Sequence, residues 1–135
     1  MEAERFRHIL VPVDPDAPEA SEKALARAAA IARSEGARLS ILAVVPVWRE
    51  DLGEVPRDQR EAMEALRARH AAGIEGGTIL RMGGSISGRI ITEVADTGAD
   101  LVVMASHNPR ASDFLIGSNA AHVALHVPVS VMVVR

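Results

Sequence analysis

Five short apolar runs alternate with longer stretches in which apolar positions recur at helical spacing. The first run, His8-Ile-Leu-Val-Pro-Val-Asp14, fills successive positions with apolar residues, the mark of a strand buried on both faces. Pro12 lacks an amide donor and belongs near that strand's end. Asp14-Pro-Asp-Ala-Pro18 is turn chemistry. From Pro18 to Glu35 an alanine-rich helix follows, with Leu25, Ala28, Ile31 and Ala32 on one face and Gly36 as its stop. Arg38 to Val47 reads as a second buried strand, and Trp48 to Pro56 as a charged loop. Arg57 to Ala72 reads as a helix with Ala62, Met63, Ala65 and Leu66 turned inward and a solvated ladder of charges outside. Thr78 to Met82 is a short third strand. Ser85 to Thr97 is a helix whose stripe is Ile90, Ile91, Val94 and Ala95, with Gly98 as its stop. Leu101 to Ala105 is the fourth strand. A polar loop then leads to Gly117-Ser118-Asn119, where Ser118 suits a helix cap. Pro128 closes that last helix, and Val129 to Val134 is the fifth strand.

Strands alternating with helices specify an α/β fold, a doubly wound parallel sheet of five strands between two helical layers. At 135 residues the chain is expected to form a single domain, 1–135, with a core large enough to need neither disulfide nor metal. Ligands of such sheets bind beyond the carboxyl ends of the strands, where the strand order reverses. The positions to inspect are therefore Asp14, Val44 to Val47, Gly83-Gly84, and the residues from Ser106 onward.

Composition narrows the function classes. There is no cysteine, which excludes disulfides and thiolate metal sites. A net charge of −3, with Lys23 the only lysine, gives no ground for a nucleic-acid partner. No apolar run is long enough to span a bilayer, and Met1 to Arg7 lacks a signal-peptide core. A cytoplasmic protein without membrane contact is the expectation. Aromatic residues are limited to Phe6, Trp48 and Phe114, so a bound base would not be stacked between rings.

Other chemistry is thinly represented. His122 and His126 have the spacing of two zinc ligands on a helix, but no third ligand accompanies them. His107, Ser106, Ser112 and Asp113 share one loop without a nucleophile elbow or an evident general base, so no catalytic residue is assigned. Gly83 to Gly88 lacks the lysine of a phosphate-binding P-loop and reads as the turn into the third helix. The loop before Gly117 is different: a strand, a polar loop and a helix N-terminus in succession form a place for an anion.

The chain resembles the universal stress protein family along its whole length. The resemblance rests on Ile9-Leu-Val-Pro-Val-Asp14, Gly98-Ala-Asp-Leu-Val-Val-Met104, Leu115-Ile-Gly-Ser118 and the closing Val129 to Arg135. It implies a Rossmann-like domain of strand order 3-2-1-4-5, a homodimer formed through the last strand (Val129–Val134), and, as in many members, ATP binding. The ATP-binding members carry G-x2-G-x9-G-(S/T) after the fourth strand. Here Ala105 and Asn108 stand at the two glycines, the spacing from Asn108 to Gly117 is one residue short, and Gly117-Ser118 match. Ser106-His-Asn-Pro109 with Leu115-Ile-Gly-Ser-Asn-Ala120 is similar to the F/G-type branch.

Carried over by position, the resemblance assigns the adenine and ribose end to Pro12, Val13, Asp14 and Val44. It assigns the phosphate end to Ala105, Asn108, Gly117, Ser118 and Asn119. Asparagine tolerates the left-handed conformation better than other non-glycine residues, which suits Asn108. Pro109 has no amide to offer, whereas the Arg110 guanidinium is suited to phosphate. The implied function is an adenine-nucleotide (ATP)-binding stress-response sensor or adaptor without rapid catalysis. The alternatives are a nucleotide-free dimeric interaction module and a slow ATPase or self-phosphorylating protein.

Overall fold

The computed structural model describes residues 4–15, 17–45, 57–106 and 117–135. Its elements are β1 (His8–Val13), α1 (Glu22–Glu35), β2 (Arg38–Val45), α2 (Arg57–His70), β3 (Thr78–Met82), α3 (Ile86–Thr97), β4 (Leu101–Ala105), α4 (Ser118–His126) and β5 (Ser130–Val134). The five strands form one sheet in the order β3-β2-β1-β4-β5, and every pair is parallel. That is the doubly wound order implied by the family resemblance.

Side-chain alternation explains the two covered faces. Ile9, Val11 and Val13 of β1, with Leu39, Ile41 and Ala43 of β2, pack against the helices α1 and α2. Leu10, Leu42, Val102 and Met104 pack on the other side against α3 and α4. Because both faces are buried, the strands cannot alternate with polar residues, and their continuous apolar runs follow. Helix α1 buries Ala24, Leu25, Ala28, Ala29 and Ala32, side chains small enough to let it lie close on the sheet. Helix α3 stops where Gly98 takes φ 73° and its N–H bonds to the Val94 carbonyl, a conformation that costs glycine least.

Several local readings need correction. A 3-10 turn, Pro18–Ser21, precedes α1, and Pro18 with its fixed φ opens it. Helix α2 ends at His70, two residues before the expected Ala72. Ala65 and Ala95 are exposed, their helices burying Gln59, Met63 and Leu66, and Ile90, Glu93 and Val94. Strand β5 starts at Ser130. The solvated charge ladder on α2 has an exception in Arg67. Its guanidinium is half-buried and donates to the Leu39 carbonyl at 2.8 Å, the Ile74 carbonyl at 2.9 Å and the Gly77 carbonyl at 3.3 Å. Burial lowers its pKa from the usual arginine range. The loop Trp48–Pro56 and the last residues of the expected second strand lie outside the described residues.

A polar cluster sits at the amino end of the sheet. The Asp100 carboxylate accepts the Arg7 and His8 amides, and His8 bridges β2 and α3. Its Nε2 lies 2.7 Å from Ser40 Oγ and its Nδ1 3.3 Å from the Thr97 carbonyl. A carbonyl only accepts, so the Nδ1 nitrogen carries the proton of that bond.

Candidate nucleotide site at the carboxyl ends of the strands

The strand order reverses at β1. From β1 the chain crosses to β2 through α1, on one face; it enters β4 from α3, on the other. In doubly wound sheets ligands bind in the crevice beyond the carboxyl ends of the strands on either side of such a reversal, here β1 and β4.

Asp14 is the first residue beyond β1. Its residue is exposed, and its carbonyl accepts the Ala17 N–H at 3.2 Å, closing the turn. Pro12 follows Leu10 on the α3–α4 face, and Val44 packs partly buried against that same cluster. Val13 pairs with Ala43 in the register, so Val44 stands one step on, level with Asp14. Pro12, Asp14 and Val44 therefore come together at one corner. Val13 does so only through its backbone, because its side chain belongs to the α1–α2 core at 5 % exposure.

The other side of the crevice is formed by β4 and α4. Ala105 is half-buried at the strand's tip. Ser106, 4 % exposed, donates its N–H to the Val134 carbonyl at 2.9 Å, and its own carbonyl accepts the Gly117 N–H at 2.5 Å. Gly117, not Ser118, is the N-cap of α4, and no side chain caps the helix. Ser118 is instead its first helical residue. With φ −58° and ψ 151°, Gly117 occupies a conformation open to any residue, so the positive-φ argument for a glycine does not apply here. The first intrahelical bond runs from the Ala121 N–H to the Gly117 carbonyl. The amides of Ser118, Asn119 and Ala120 have no acceptor within the helix, and they make its N-terminus electropositive. Asn108 and Arg110 lie outside the described residues, as do His107, Ser112 and Asp113.

Two other sequence candidates resolve as structure. Gly83 donates to the Val45 carbonyl at 2.8 Å, and Ser85 caps α3 by accepting the Gly88 amide at 3.0 Å. Arg89 then holds the Gly83 and Met82 carbonyls, each at 3.0 Å. His122 and His126 stack with ring centroids 4.2 Å apart, and His126 Nδ1 sits 2.8 Å from the His122 carbonyl. Among the described residues no group of three or more His, Cys, Asp or Glu is placed to hold a metal. No helix among them is long and apolar enough to cross a membrane. Sequence reasoning missed Ser106 as the junction of β4, β5 and α4. The available signal was a polar residue directly after a buried strand.

A family model described as the universal stress protein family matches residues 5–135. The chain belongs to the universal stress protein family. Universal stress protein G of Salmonella typhimurium is 31% identical over 144 residues, covering 96% of this chain and 99% of the relative. This agrees with the F/G-type character of the loop sequence. Among solved structures, universal stress protein UspA from Lactobacillus plantarum has 27% identity and a TM-score of 0.76, with 98% of this chain and 100% of that one covered. The universal stress protein from Archaeoglobus fulgidus in complex with dAMP shares the fold at a TM-score of 0.68 and 21% identity, over 98% and 100% of the two chains.

Proposed function

We propose that this single-domain protein binds an adenine nucleotide, ATP or a shorter relative, in the crevice between β1 and β4, and acts as a cytoplasmic stress-response sensor or adaptor without rapid catalysis. The observation that carries this reading is the strand order, which sets Asp14, the Pro12–Val44 corner and the amide-bearing N-terminus of α4 all at or beyond the carboxyl ends of β1, β2 and β4. Asp14 and the Val44 backbone suit the hydroxyls and amino group of a nucleoside. The Ser118, Asn119 and Ala120 amides suit a phosphate oxygen, because charge-assisted bonds from a helix N-terminus favour anions. A family relative solved with dAMP supports an adenine mononucleotide as the smallest ligand of the class. In this reading Ala105, Asn108 and Arg110 complete the phosphate end.

The direct test is what the purified protein carries. Denaturing it and separating the supernatant by chromatography is expected to release adenine nucleotide; where none is retained, titration with AMP, ADP and ATP decides. Asp14→Ala is expected to weaken binding about tenfold or more, since a hydrogen bond to a charged group contributes roughly 1.5–3 kcal/mol. Unchanged affinity in that variant would mean the nucleoside end lies elsewhere.

A homodimer through β5 belongs to the same proposal, and the sheet edge favours it. Residues Val131 to Val134 are half-buried on both faces of a strand at the sheet's edge. Such an edge invites pairing with a second copy.

A further inference from the structure

Ser106 fastens three elements at one point: it directly follows β4, holds the last residue of the edge strand β5 through its N–H, and holds the N-cap of α4 through its carbonyl. The two peptide planes involved meet at the Ser106 Cα. Each is rigid, and the residue between them is 4 % exposed, so they have little freedom to move apart. The Gly117 amide is engaged in this clasp and is therefore not one of the donors facing a ligand. An anion seated on the following amides of α4 would pull on an element whose origin is fixed to Ser106, and Ser106 is bonded to Val134.

We infer that Ser106 is a positioning residue that couples the ligand-facing N-terminus of α4 to the free edge of β5, so that an occupied crevice firms the edge strand. The coupling rests on the nucleotide reading above; the clasp itself does not. By linkage, whatever firms the edge, including pairing with a second copy, raises nucleotide affinity by the same factor.

Two variants isolate the clasp. Gly117→Ala and Gly117→Pro each add a Cβ, but only proline deletes the N–H. The native φ of −58° lies within proline's range, and the ring carbon that replaces the amide hydrogen both deletes the donor and pushes the Ser106 carbonyl away. Amide hydrogen exchange on the ligand-free proteins is expected to be about fivefold or more faster at Ser106 and across Ser130–Val134 in the proline variant than in the alanine variant. Saturating AMP is expected to slow exchange of Ser130–Val134 in the wild type and in Gly117→Ala, and to leave it unchanged in Gly117→Pro. AMP affinity is expected to be about tenfold lower in Gly117→Pro than in Gly117→Ala. Equal exchange in the two ligand-free variants would overturn the clasp. AMP binding to the wild type with no change in β5 exchange would overturn the coupling, and this arm needs no variant to fold. A wild type that binds no adenine nucleotide would sink the functional reading and the coupling, and the ligand-free comparison would then decide the clasp alone.

Discussion

Two residues away from the crevice show how charge is used in this fold. Arg67 sits on a helix whose composition suggests a solvated surface, yet it bonds to three backbone carbonyls between β2 and β3. Removing it leaves those acceptors without their charged donor, at a cost of about 3 kcal/mol. Arg67→Ala is therefore expected to lower Tm by roughly 10 °C in a thermal melt; a drop of only a degree or two would mean water replaces the guanidinium at no cost. Glu22 is the second case. Hydrogen bonds from His70 and Arg69 hold its carboxyl below the ordinary value of 4.5. A depressed folded-state pKa stabilises the protein above the unfolded value and ceases to do so as pH falls through the folded one. Urea midpoints of wild type and Glu22→Gln should thus differ at neutral pH, converge as pH falls below about 4.5, and coincide in stronger acid. A gap independent of pH would exclude this ion-pair origin.

At the scale of elements, β5 carries the proposed contact between two copies. The bond from the Ser106 amide to the Val134 carbonyl shows that Val134 turns its polar groups toward β4. Alternation then turns the N–H and C=O of Val131 and Val133 toward the free edge. Their side chains meanwhile pack inward against the α3–α4 cluster. A charged side chain at Val131 would disturb that core as well as a partner, so a backbone change is the cleaner probe. Val131→Pro deletes an edge-facing donor and no bond to β4. Light scattering is expected to give twice the 14.3 kDa chain mass for the wild type and a single chain for the variant. A dimer that survives Val131→Pro would place the contact on another face. The elements themselves were legible because the inner strands β1, β2 and β4 are buried on both sides, which leaves an unbroken apolar run, and because glycine marks helix ends. What escaped was polar residues doing internal work. Glu93 lies buried on the α3 stripe at 2 % exposure, paired with Arg81 Nε at 2.5 Å. Periodicity reads hydrophobicity, so it passes over a carboxylate whose partner arrives from another element.

Over the whole molecule, the two poles of the sheet differ in kind. The amino pole carries a hydrogen-bonded cluster of Asp100, His8, Ser40 and Thr97. The carboxyl pole gathers Asp14, Val44, Ala105 and the start of α4 around the reversal of strand order. The carboxyl ends were legible in the sequence as the place to inspect, with Asp14 first among them; the Asp100 cluster at the amino pole was not foreseen, because its members come from separate stretches of chain. The cap of α4 was not legible either, because a glycine and a serine in succession are both good caps and sequence alone does not rank them. The central claim, an adenine nucleotide held between β1 and β4, is tested most directly by thermal unfolding against increasing ATP and AMP. Ligand at 100 times its dissociation constant should add about 2.7 kcal/mol. For a chain of 135 residues that is a rise in Tm of roughly 8–10 °C. A Tm that stays fixed to millimolar concentrations of both nucleotides, in protein shown to carry none, would contradict the account.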